Sequence, residues 1–193
     1  MGTGKAAHLV NVNDFGLYKK FRDARTNLHI PFSQDGKHGV GTSLFAAIYT
    51  HQGIGAFILF YSSSFTNIDS SECSRRDDLE SLSYMLIYFL RGTLPWKKIK
   101  ASTTSQTWDL IRDKKIETEP FLTAGLPSEF DVLFKYARAL EFDDLPDYSG
   151  LRAMFRALAE RNGIEYDGEF DWMTKKENGK RRFCEACNSK PVS

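Results

Sequence analysis

At 193 residues the chain fits one domain, and its 41% hydrophobic content is enough to build a core. Twenty-six basic against twenty-five acidic residues leave a net charge of +1, which excludes the bulk electrostatic footprint of a nucleic-acid or membrane-surface binder. Three cysteines exclude a disulfide framework, no signal peptide is apparent, and the longest apolar run, 56–61, is far short of the roughly 20 residues that span a bilayer; a cytoplasmic or nuclear protein is expected.

In chain order, residues 9–13 form a short apolar run before Asp14, the pattern of a strand that delivers the aspartate into a turn at Gly16. Residues 19–50 are polar, charged and without sustained period, and read as loop. Residues 55–71 join an apolar hexapeptide to a Ser/Thr/Asn-rich stretch. From 77 to 90, Leu79, Leu82, Met85, Leu86, Phe89 and Leu90 recur at helical spacing, and Ile87 and Tyr88 make the helix apolar nearly all round. Such a helix is expected at the centre of a helical domain, enclosed on every side.

Gly92 and Pro95 punctuate the chain, and 102–115 resumes a helical pattern through Trp108 and Ile111. Ser128, after Pro127, is expected to cap the next helix with Asp131 three residues on, and Phe130, Leu133, Phe134, Ala137 and Leu140 make one stripe. A further helix begins near Ser149, carries Leu151, Met154, Phe155 and Leu158 on one face, and stops at Asn162-Gly163, where glycine suits a left-handed cap. Residues 174–193 hold six basic and two acidic residues with little to bury, the composition of a disordered basic tail. The fold class expected is mainly α.

Several motifs are weak. His8, His29, His38 and His51 lack metal-ligand spacing and read as structural or surface residues. Cys184 and Cys187 resemble half a zinc site, but one cysteine pair cannot close a tetrahedral site. Lys175, Lys176, Lys180, Arg181 and Arg182 have the composition of a nuclear import signal, and read better as a solvated tail. Asp14-Phe15-Gly16 is stronger: a carboxylate at a strand end is a hard oxygen ligand of the kind that holds Mg2+, with an exposed turn aspartate as the alternative.

A longer series continues from it: Lys19-Lys20-Phe21-Arg22-Asp23, His29-Ile30-Pro31-Phe32, Gly41-Thr42, Thr50-His51, Ser74-Arg75-Arg76-Asp77-Asp78-Leu79-Glu80-Ser81-Leu82, Tyr88-Phe89-Leu90-Arg91-Gly92-Thr93-Leu94-Pro95-Trp96, Pro127-Ser128-Glu129-Phe130, Phe142-Asp143-Asp144-Leu145-Pro146-Asp147-Tyr148 and Phe170-Asp171-Trp172. In this order the chain resembles the casein kinase 1 family of Ser/Thr protein kinases. The resemblance implies a kinase-like C-terminal lobe over 1–173, interrupted at 55–71 and followed by the tail 174–193, with ATP and Mg2+ as cofactors and Asp14 in the metal position. It places Asp78 at the start of the central helix, where a buried carboxylate accepts hydrogen bonds from the catalytic loop; an exposed helix-terminal acid is the alternative.

The resemblance also implies an anion site for phosphorylated or acidic substrates. Here Leu44 stands where that site has an Arg, and Thr103 and Thr104 stand where it has a Lys. Lys97, Lys98 and Lys100 are the candidate replacement patch, against a plain solvated face. Residues 55–71 match nothing in the family, and their origin is either a lineage-specific loop or a short intron read as coding sequence; the ungated apolar hexapeptide favours the second.

A kinase places its glycine-rich loop, ATP-binding Lys and His-Arg-Asp catalytic loop before Asp-Phe-Gly, and none is identifiable in this sequence. The expectation is therefore a casein kinase 1-like kinase fragment without N-lobe or catalytic loop, inactive as given, with no residue assigned as catalytic. The alternative is a non-catalytic pseudokinase module that docks protein substrates or partners. No nucleic acid, membrane or second chain is expected.

Overall fold

The computed structural model describes residues 9–10, 20–29, 41–52 and 73–167. Of the expected strand at 9–13, residues 9–10 are described and do not form a strand; residues 11–13, Asp14, His8, His38, the segment 55–71, Cys184, Cys187 and the tail 174–193 lie outside the described residues. The chain divides into two units, Phe15–Asn162 and a smaller one of Met1–Asp14 with Gly163–Ser193. In the smaller unit, the described residues 9–10 and 163–167 are not helical.

The larger unit holds α1 (Ile48–Gln52), α2 (Arg75–Arg91), α3 (Thr104–Thr118), a 3₁₀ turn (Glu119–Phe121), α4 (Ser128–Ala139) and α5 (Tyr148–Arg161). Helix makes up 55% of the described residues and none forms a strand, so the protein is mainly helical. An isolated antiparallel bridge, Arg22 to His29, closes a small turn that the Asp23 carboxylate organises by accepting from the Arg25 and Thr26 amides at 2.9 and 2.7 Å. No described helix is long and apolar enough to cross a membrane.

α2 starts where Asp77 Oδ2 accepts from the Ser74 amide at 2.7 Å, and it stops at Gly92, whose φ of 72° few other residues tolerate. Its buried stripe is Leu79, Glu80, Ser83, Tyr84 and Ile87. Contrary to expectation, α2 is not enclosed among the described residues: Leu82 is 37%, Phe89 67% and Leu90 50% exposed, with Met85 and Leu86 half-buried. The reason lies in its partners. α4 covers one flank and α1 another, leaving an opposite strip of Asp78, Leu82 and Phe89 at helical spacing.

α2 and α4 run antiparallel, since Arg76 reaches the Leu140 carbonyl, Glu80 meets Arg138, and Tyr84 packs on Phe134 with ring centroids 5.6 Å apart. Arg75 and Arg76 donate to the Asp143 and Leu140 carbonyls at 2.7 and 3.3 Å, placing two cations at the negative end of the α4 dipole. Between α2, α3 and α4 lies the core of Tyr84, Ile87, Leu94, Trp96, Ile111, Leu122 and Phe134.

Helix ends differ from expectation in detail. α3 begins at Thr104 under a Thr103 cap that accepts from Gln106, and it runs to Thr118, beyond 115. Pro127, not Ser128, caps α4; Ser128 is its first residue, and Asp131 pairs with Lys135 and Thr123 instead. α5 starts at Tyr148 under Asp147, which accepts from the Gly150 amide at 2.8 Å, and Gly163 beyond its end has φ 65°. The stretch expected as loop to residue 50 contains the start of α1. Where α1 ends, Thr50 Oγ1 lies 3.4 Å from Cys73 Sγ.

Truncating the enclosed Phe134 to Ala is expected to cost about 3–5 kcal/mol through lost burial and the cavity left behind, whereas Phe89→Ala on the open strip of α2 is expected to cost less than about 1 kcal/mol. Urea midpoints of the two variants test this; a Phe89→Ala loss as large as that of Phe134→Ala would show the strip to be packed.

Candidate functional site

A dense polar arrangement among the described residues of the larger unit is the seat of segment 41–52 on α2 and α3. The segment opens in a turn, with the Phe45 and Ala46 amides donating to the Thr42 carbonyl at 3.0 and 3.1 Å. Three side chains from elsewhere hold its backbone. Trp96 Nε1 donates to the Leu44 carbonyl at 2.7 Å, the Ile48 amide donates to Glu80 Oε1 at 3.0 Å, and Lys115 Nζ donates to the Ser43 and Ala46 carbonyls at 3.0 and 2.5 Å.

Lys115 arrives there because α3 buries Trp108, Ile111, Arg112 and Lys115, successive members of one helical stripe. Its ammonium sits 4.7 Å from the Tyr84 ring centroid and 5.2 Å from that of Trp96, and its third contact is His51 Nε2 at 3.0 Å. Three N–H donors thus meet three acceptors. Removal from water pulls the Lys115 pKa down to about 7, against the attraction of Glu80.

His51 is 1% exposed. Its Nδ1 lies 3.0 Å from the Trp108 carbonyl, which can only accept, so Nδ1 carries the proton and Nε2 accepts from Lys115. Burial first, and the Lys115 charge second, push its pKa down to about 3. Glu80 is buried with both oxygens engaged: Oε1 also accepts from the Tyr84 hydroxyl at 2.7 Å, and Oε2 faces Arg138 at 3.5 Å. Burial, reinforced by the Glu80 charge, raises the Tyr84 hydroxyl well above its ordinary pKa. The Arg76 and Arg138 guanidinium carbons lie 3.9 and 5.5 Å from the Tyr49 ring centroid, continuing the network along α1.

The start of α2 is a second polar region. Asp77 is 2% exposed, and desolvation raises its pKa to about 6 against the opposing Ser74 amide bond. Asp77 Oδ1, Ser74 Oγ, Arg75 Nε and Nη1, and Arg76 Nε are buried there without a hydrogen-bond partner among the described residues. Asp78 is exposed, although the protein packed beside it desolvates the carboxyl enough to raise its pKa. The buried aspartate of this pair is thus Asp77, and Asp78 is exposed.

Among the described sequence candidates, Asp78 lies at the start of α2 and the lysines Lys97, Lys98 and Lys100 beyond its end. Lys97 donates to the Tyr88 hydroxyl at 2.9 Å, and its Nζ is 4.8 Å from that ring's centroid, while Lys98 and Lys100 are exposed. Leu44 is partly buried against the core, Thr103 is spent as the α3 cap, and Thr104 is the first residue of α3. Asp14 lies outside the described residues, and among the described ones no cluster of three or more His, Cys, Asp or Glu could hold a metal. Glu80, Lys115 and the pairing of His51 escaped the sequence reading; the one available signal was a lysine at the place in the α3 stripe where periodicity demands an apolar residue. No protein-family model matches the chain.

The Lys115 shift has a definite sign. Its folded pKa of about 7 lies below the ordinary 10.5, so between those values the unfolded chain binds the extra proton and stability rises with pH. Each displaced unit corresponds to about 1.4 kcal/mol. Lys115→Met is expected to flatten the rise in unfolding free energy between these two pH values, measured by urea denaturation across the window; an unchanged slope would mean that the buried ammonium keeps its ordinary affinity for the proton.

Proposed function

We propose that the chain carries the C-terminal lobe of a casein kinase 1-like Ser/Thr protein kinase. The observation that carries this reading is the ordered motif series from Asp14-Phe15-Gly16 to Phe170-Asp171-Trp172, since no single member of it is specific alone. The helical architecture is compatible with it. So is the seating of the stretch after Gly41-Thr42, which the resemblance makes substrate-facing, on the helix that begins with Ser74-Arg75-Arg76-Asp77-Asp78.

In this reading Asp14 holds Mg2+ against the phosphates of ATP, and the acceptors are hydroxyls of protein substrates in the cytoplasm or nucleus. Phosphoryl transfer also needs a phosphate-clamping lysine, a second metal ligand and a base for the hydroxyl, and these roles have no identifiable residue in the sequence. The substitutions at Leu44, Thr103 and Thr104 remove the family's anion recognition, so preference for phosphorylated substrates is lost. A second reading, a non-catalytic docking module, draws on the exposed Leu82, Phe89 and Leu90 of α2.

Radiolabel transfer from ATP to casein and to acidic peptides tests the assignment. These 193 residues by themselves are expected to give background transfer, and fusion in cis to the upstream half of a related kinase is expected to restore activity that Asp14→Asn abolishes. Restored activity would sink the docking-only reading; a folded fusion that stays silent would sink the kinase reading.

A further inference from the structure

We propose that segment 41–52 is an acid-released latch, in which protonation of His51 expels its ring from beside Lys115 and frees the segment from α3. The geometry leaves His51 no room for a second proton. Nδ1 already donates to the Trp108 carbonyl, and the Nε2 lone pair is filled by a Lys115 N–H across 3.0 Å. A proton added at Nε2 would have to occupy the place of that N–H and would set imidazolium against ammonium.

Among the described residues, the surrounding groups give little relief. On α2, Glu80 is committed to the Ile48 amide, the Tyr84 hydroxyl and Arg138, and Tyr84 presents its ring to Lys115. On α3, Arg112 is a further cation, already paired with Asp109 and Asp113 at 2.9 Å each. From the 94–99 turn, Trp96 offers only its ring and its indole N–H. Within the segment itself, the Ser43 carbonyl favours a protonated ring but already accepts from Lys115, and Thr50 contacts Cys73.

Release ends the conflict, because a solvated His51 regains its ordinary proton affinity. The docked ring titrates near 3 and the free ring at 6.5, so a group whose folded pKa is depressed loses its contribution as pH falls through that window. Between those limits each unit of acid shifts the equilibrium about tenfold toward the released segment, or about 30-fold near pH 5. Lys115 does not oppose this. Below its docked value of about 7 it is mainly protonated in both states, so its contribution levels off.

The test is hydrogen–deuterium exchange of the full chain near pH 7.5 and near pH 5, read by mass spectrometry and corrected for the intrinsic pH dependence of amide exchange. Protection of residues 43–52 is expected to fall about 30-fold near pH 5, while that of α4 holds. In His51→Asn, which has an amide donor and acceptor but no titrating ring, protection of the segment is expected to fall far less, by only the few-fold that Lys115 alone contributes between these pH values. Three results would each overturn the latch: unchanged protection of the wild-type segment, an equal fall in His51→Asn, or loss of α4 protection in step with the segment. Where the variant does not fold, the wild-type comparison of segment and α4 decides alone.

Discussion

The larger unit is organised around one buried carboxylate. Glu80 belongs to α2, yet its oxygens serve the first amide of α1, a tyrosine one turn along its own helix, and an arginine on α4. An ionised carboxylate withdrawn from water is tolerated only where its lone pairs meet donors with good geometry. The three donors come from three helices. Satisfying Glu80 therefore brings α1, α2 and α4 into a single relative arrangement, and burial of Tyr84, Ile87 and Phe134 follows in the space that arrangement encloses.

Lys115 does the corresponding work from α3, with the opposite charge and mainly neutral partners. Carbonyl oxygens, an imidazole nitrogen and two aromatic faces stabilise the ammonium without a contacting carboxylate. Such partners offset desolvation less than a full ionic partner does, which is why the group is electrostatically poised while Glu80 acts as a fixed anchor. The arginines that open α2 contribute a third fastening. They lie at the end of α2 where the macrodipole disfavours cations, and their position is explained by the Leu140 and Asp143 carbonyls just beyond α4 that they reach.

Local periodicity made much of the helical architecture legible. The stripe from Phe130 to Ala137 marks α4, the spacing of Trp108 and Ile111 marks α3, and the positive φ of Gly163 agrees with the stop read at Asn162-Gly163. What failed was the inference from apolar content to enclosure on α2. Hydrophobicity reports what a helix can bury, whereas the number of neighbours is a tertiary quantity, and polar Glu80 and Ser83 took core positions while Leu82 and Phe89 did not. The polar seat of 41–52 was invisible for a related reason: His51 and Lys115 are 64 residues apart, and Ile48 and Glu80 are 32 apart. No local pattern encodes such pairings. Ser128 against Pro127 is a smaller case, in which two adjacent residues both suited a helix start and backbone geometry selected the proline.

The contact between Thr50 and Cys73 has a consequence for how this chain can change length. Its two partners bracket residues 51–72, and each belongs to a stretch held by other means, α1 through Ile48 and α2 through Ser74 and Asp77. The two ends of the span between are thus held close to one another by residues outside it. Closure entropy grows only logarithmically with the number of residues enclosed, by about 0.6 kcal/mol for each doubling. A gain or loss of sequence at this point consequently meets little thermodynamic resistance, and the junction is a place where descendants of one ancestral chain can diverge in length while their helices remain in register.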